Sequence, residues 1–193
     1  MRRASPSARQ RGRFQSKPGR EERDLDSWPT VVTLRCTRKL LVRLGAANRR
    51  EGEASVPTTR LGDWHGNLLY RPGGQLVLLV NDRSLLPVLI AARPAETIVP
   101  RFVEALGALL RRLDVRAEVV SAELAKMGEI RIGSTANRRI LGSMTDFAWM
   151  LDSYLTPGGS LEDAALRLAE APCGPIGMQS PDDVAPRLLS SAE

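Results

Sequence analysis

"HGNLLYRPGGQLVLLVNDRSLLPVLIA", residues 65–91, is the stretch whose reading decides the fold. It contains three apolar runs, at 65–71, 75–81 and 85–91, each of strand length. The runs are separated by "PGG" (72–74) and "NDRS" (81–84), residues that set tight turns through glycine's conformational freedom and through Asn and Asp side chains bonding nearby backbone. Strands joined this closely can pair only antiparallel, so the stretch is an antiparallel meander. Pro87 has no N–H to give to a ladder and puts the third strand at an edge or a bulge.

Upstream, "VVTLRC" (31–36) alternates and is β-branched, which predicts another strand. Thr37 is placed to cap a short helix, "RKLLVRL", ending at Gly45, and 46–58 reads as a polar loop. Downstream, Pro100 opens a helix to about 113, with Phe102, Val103, Leu106, Leu109 and Leu110 on one face. A second helix covers about 117–127, "EIRIG" (129–133) is a short strand, and a long helix follows from Asn137. Gly158 and Gly159 break the chain, Ser160 caps "LEDAALRLAEA" with Asp163 at the reciprocal capping position, and Ser180-Pro181 starts a last helix. The pattern is α+β: a small, mostly antiparallel sheet (the meander plus edge strands) covered by helices. Residues 30–193 make one such domain, with the C-terminal helices of about 157–193 packed on it.

The 193 residues carry a formal charge of +6, unevenly spread. Residues 1–29 hold eight basic and four acidic side chains, leaving 20 basic against 18 acidic in the rest. The high pI therefore belongs to the N-terminal segment, while the body is nearly neutral. That segment is poor in apolar residues and reads as a disordered basic tail. It is either a solvated extension, with Val31 and Val32 near an alternative start, or an arm that tracks phosphates. Cys36 and Cys173, with no CxxC spacing, read as reduced thiols of a cytoplasmic protein. No segment approaches the roughly 20 apolar residues of a membrane helix, so no membrane partner is expected.

The helix "NRRILGSMTDFAWML" (137–151) raises the functional question. Ile140, Leu141, Met144, Phe147, Ala148, Leu151, Tyr154 and Leu155 fall within an arc of about 140°, a broad core-facing stripe. Arg138, Gly142, Thr145, Trp149 and Asp152 lie opposite. A tryptophan there means either that the C-terminal helices cover this side too, the reading favoured by aromatic packing, or that the face meets a protein partner. Asn137 is a good N-cap, but Arg138 and Arg139 then occupy the positive end of the helix, where a cation costs roughly 0.3–1 kcal/mol. With the loop before them, Thr135, Asn137, Arg138 and Arg139 form a candidate anion cradle. The anion is either external, a phosphate or carboxylate, or internal, supplied by Asp63, Asp82 or Asp146. No GxxxxGK[ST] is present.

His65 is the sole histidine. With Asp63, Asn81 and Arg83 it marks a candidate polar pocket, and with Cys36 it would make a Cys–His dyad; packing or hydrogen bonding is the plainer role for it. For Asn67, Asn81 and Arg83, closing turns by bonding backbone is the plainer role. The spacing of Cys36, Cys173 and His65 supports no zinc site, and no metal or cofactor is expected. "APCGPIG" (171–177) reads as a rigid turn. Aromatic residues are few and not interleaved with basic ones, so a base-stacking RNA sheet is not indicated.

"TLRCTRKLL" (33–41), "TTRLGDWHGNLL" (58–69), "LVLLVNDRSLLPVLI" (76–90) and "TANRRILGSMTDFA" (135–148), with "ALRLAEAPCGP" (165–175), together resemble a bacterial family of unknown function, domain-of-unknown-function family 6933, over about residues 32–190. The family's usual form of the fourth block is close to N-R-S-x-L-G-S-M-N-D-F; here Arg139 stands for the Ser and Thr145 for the Asn. The resemblance implies a fold unit and a polar hot region but no reaction. Three functions follow as expectations: a nucleic-acid-associated or regulatory binding protein using the tail and the anion site; a small hydrolase or nuclease-like enzyme around Asp63, His65 and Arg138; or a protein-interaction module at the Trp149 face.

Overall fold

The computed structural model describes residues 31–47, 57–156 and 158–191. The expected tail of 1–29 and most of the 46–58 loop lie outside the described residues. Five strands, β1 (Val31–Cys36), β2 (Trp64–Arg71), β3 (Gly74–Asn81), β4 (Pro87–Ala91) and β5 (Glu129–Ser134), form one sheet in the order β4-β3-β2-β1-β5. The meander β2-β3-β4 is antiparallel as the turns require, and Pro87 opens an edge strand. The fold is α+β, but the expectation of a mostly antiparallel sheet is corrected: β1 is interior and pairs parallel with both β2 and β5, so the sheet is mixed. Parallel neighbours need a crossover of a dozen or more residues. The chain supplies two, one through α1 (Arg38–Arg43) and one from β4 to β5 through α2 (Ile98–Arg112) and α3 (Ala117–Ala125).

Side-chain alternation divides the sheet into two buried faces. Val32, Leu34, Cys36, Trp64, Leu68, Val77 and Leu79 pack against α1, α2, α3 and α6 (Pro181–Ser190). In that core Trp64 and Phe102 meet edge to face, with centroids 5.0 Å apart. Leu69, Leu78, Val80 and Leu89 face the other way, against α4 (Arg138–Tyr154) and α5 (Leu161–Ala169). The apolar stripe of α4 is as expected: Ile140, Met144, Phe147 and Leu151 are buried and Leu141, Ala148, Tyr154 and Leu155 partly so. Gly66 lets α1 approach β2, since a Cβ there would lie 2.6 Å from Leu40 Cδ2.

Several local details differ from expectation. α2 begins at Ile98, two residues before Pro100, because a proline in the first turn forfeits no intrahelical bond. Thr37 does not cap α1 with its side chain; its hydroxyl donates to Asn67 Oδ1 at 3.0 Å. Ser160 does cap α5, accepting from the Asp163 N–H at 3.0 Å, while its hydroxyl donates to the Asp163 carboxylate. Among the described residues no helix is long and apolar enough to cross a membrane.

Candidate functional site

The polar residues on the α4 side of the sheet come together where α4 begins. Register sets Thr33 and Arg35 of β1 beside Asp63 and His65 at the start of β2. Asp82 follows the end of β3 directly across from Asp63, its N–H donating to the Asp63 carbonyl at 2.9 Å. Asp63 is buried and both its carboxylate oxygens are used: Oδ1 accepts from the Thr33 N–H at 2.9 Å and Oδ2 from Arg35 Nη2 at 3.1 Å. Its place is fixed by the preceding turn, whose Arg60 and Leu61 N–H groups donate to the buried Glu123 carboxylate of α3 at 3.0 and 2.8 Å.

His65 is 2 % exposed, its ring set between Thr135 and Asp82. Nδ1 lies 2.8 Å from the Thr135 hydroxyl and Nε2 lies 3.6 Å from Asp82 Oδ1, just beyond hydrogen-bonding reach. The adjacent imidazole pulls the Asp82 carboxyl below its ordinary range, burial opposes this, and the charges of Arg139 and Arg35 add to the lowering. Asn137 ties the same carboxylate to the helix: its Oδ1 accepts from the N–H groups of Arg139 (3.1 Å) and Ile140 (3.4 Å), and its Nδ2 reaches Asp82 Oδ1 at 3.5 Å. An internal carboxylate therefore does stand at the positive end of α4. It accounts for part of the positive charge there. Among the described residues Arg35 is paired with Asp63 and the charge of Arg139 acts on Asp82, which leaves the exposed Arg138 as a cation in excess. Among the described residues neither Arg138 nor Arg139 has a salt bridge, and the Arg138 N–H has no acceptor.

Of the residues singled out in the sequence, Asp63, His65, Thr135, Asn137 and Arg139 thus share one neighbourhood, with Arg138 on its exposed rim. Asn81 and Arg83 do not join it. Asn81 pairs with Trp64 and faces the α2 side, fully buried. Its Oδ1 accepts from Arg83 N, Ser84 N and the Ser84 hydroxyl, closing the 81–84 turn, while Nδ2 donates to the Leu61 and Asp63 carbonyls. Arg83 donates to the Arg60 carbonyl at 2.9 Å, so both residues hold backbone. Cys36 also faces the α2-side core, away from His65, which excludes the dyad; burial pushes its thiol up to about 12. Arg35 and Asp82 complete the cluster. A lone arginine inside the apolar strand "VVTLRC" was the signal for Arg35.

Trp149 is 79 % exposed, so the expectation that the C-terminal helices cover it is corrected: α5 packs on β4 and on the core side of α4 and leaves that face open. At the far end of α4, Tyr70, Arg71, Leu76, Leu155 and Leu161 line a largely apolar cleft of about 780 Å³ that shares no residue with the cluster. Among the described residues no group of three or more His, Cys, Asp or Glu side chains is placed to hold a metal ion.

A model of the family described as Domain of unknown function (DUF6933) matches residues 33–184. The match spans well over half of the chain, and the chain belongs to that family. No curated protein and no solved structure matches it.

Proposed function

We propose that this member of the family is a binding protein for a phosphate-bearing ligand of the kind nucleic acids present, taken at the start of α4. The observation that carries the reading is the excess positive charge left there after internal pairing. Arg138 and Arg139 stand exposed at the positive end of a 17-residue helix; among the described residues neither forms a salt bridge, and of the two only the charge of Arg139 acts on Asp82. Cations at that end are unfavourable by roughly 0.3–1 kcal/mol each, and a bound anion reverses the sign of the interaction. Thr135 and Asn137 keep the loop in shape, the first through His65 and the second by capping.

The test compares a labelled oligonucleotide with a nucleoside monophosphate, titrated against the full chain and against Arg138→Ala/Arg139→Ala at low and high salt. Loss of two phosphate contacts lowers the slope of log affinity against log salt by about 1.8 on a duplex. Nucleotide binding without oligonucleotide binding assigns a small ligand; unchanged affinity and slope in the variant refute the site.

A second reading is favoured by one specific geometry. The Thr135 hydroxyl, the His65 imidazole and the Asp82 carboxylate lie in series, the order of a nucleophile, its base and the group that orients the base. Arg138 would then hold an anionic substrate beside them. Turnover of an activated ester, abolished by both Thr135→Ala and His65→Gln, supports this reading; turnover that survives either substitution removes it.

A further inference from the structure

The geometry points to self-association of this chain through the outer edge of β5, two copies pairing antiparallel about a two-fold axis at Ile130. Among the described residues β5 lies at the end of the sheet and bonds to β1 on its inner side alone. The Thr135 N–H donates to the Cys36 carbonyl at 3.1 Å, and backbone groups alternate sides along a strand. The odd-numbered residues 129, 131 and 133 therefore turn toward β1, while Ile130, Ile132 and Ser134 present their N–H and C=O groups outward. Among the described residues no strand takes them.

Natural edges are blunted by proline, bulges, unmatched charge or a covering element. The opposite edge has such devices, being opened by Pro87 and packed by α5. β5 has neither proline nor bulge: all six of its residues pair with β1 in continuous register. Ile130 and Ile132 lie on the α2-side core face yet remain only partly buried at the rim.

The side chains choose a second copy and its register. Only registers that bring outward-pointing residues opposite one another can close the ladder. Centring the axis on Arg131 puts that arginine across from itself. Centring it on Ile132 sets Arg131 across from Gly133 and Glu129 across from Thr135, with no ion pair. Centring it on Ile130 sets Glu129 across from Arg131 of the second copy, twice by symmetry, with the two Ile130 side chains adjacent. Glu129 and Arg131 already form a 3.1 Å pair along one strand, about half exposed, so both charges are available at this edge. Gly128 stands across from Ile132 of the second copy and leaves room for that side chain: even a Cβ at Gly128 would meet only the Ala125 carbonyl oxygen, at 3.7 Å. The ladder and the isoleucines provide the attraction, and the charges fix the register.

The test is sedimentation equilibrium of the full chain across a dilution series, with Glu129→Arg, Arg131→Glu and the double reversal. The wild type is expected to dimerise. Each single reversal sets like charges opposite and weakens the dimer roughly tenfold or more, and the double reversal returns it to near wild type. Circular dichroism confirms that the variants fold, since both side chains are exposed. A wild type that stays monomeric, a dimer indifferent to single reversal, or a double reversal that fails to restore it overturns the inference.

Discussion

Glu123 is the residue on which the turn leading into the candidate site depends most. Its side chain is 3 % exposed and its two oxygens accept the N–H groups of Arg60 and Leu61 at 3.0 and 2.8 Å. Glu123→Ala leaves both donors without an acceptor. A buried donor left unsatisfied costs about 1–3 kcal/mol, and since the Arg60 N–H is only partly buried the sum is about 3 kcal/mol. For a domain of this size that lowers Tm by roughly 6–12 °C. Glu123→Gln keeps one acceptor and should cost about half as much. Glu104→Ala, on the exposed face of α2, should stay within about 0.5 kcal/mol. Urea unfolding reads the effect as a fall in midpoint at unchanged m. A loss under about 1 kcal/mol for Glu123→Ala, or a Gln variant as unstable as the Ala variant, refutes the assignment of this carboxylate as the clamp of the 60–63 turn.

Gly66→Ala should destabilise by about 1–3 kcal/mol through the Leu40 contact, and Leu40→Ala should cost less in that background than alone; additive effects in a double-mutant cycle contradict the packing. Asp82 has a folded pKa below its ordinary value, so its unfolded form binds protons first and its contribution is present above about pH 4 and lost as pH falls through the folded pKa. The stability gap between wild type and Asp82→Asn should accordingly narrow as pH falls below about 4 and through the folded pKa, as followed by urea titration at each pH. Cys36, its thiol raised to about 12, and Cys173, raised by burial and by the nearby Asp146 charge, should both resist Ellman's reagent in the native protein and react on unfolding; fast native reaction of Cys36 contradicts its burial.

The meander was legible because its signals are local: two turns, a proline at the edge, and apolar runs too short for helices. The stripe of α4 was legible for the same reason, since 3.6-residue periodicity is written in the sequence. The parallel partners of β1 were not. Nothing in "VVTLRC" says which strand lies beside it, and the answer depends on how the connections 37–63 and 92–128 cross the sheet. Trp149 misled for a related reason. Aromatic residues usually pack, and only the position of α5 shows that this one does not. At the candidate site, Asn137 and Thr135 could be read from capping and loop chemistry. The meeting of His65 with Asp82 and of Arg35 with Asp63 arises from register between strands far apart in the chain.

The central claim is that the cations at the start of α4 await an external anion. Amide shifts of the isotopically labelled full chain, recorded while a nucleoside monophosphate is added, test it most directly. Saturable shifts at Ala136, Arg138, Arg139 and Ile140, absent from Arg138→Ala/Arg139→Ala, are the expected result. Shifts confined to residues 1–29, or none at all, would contradict it.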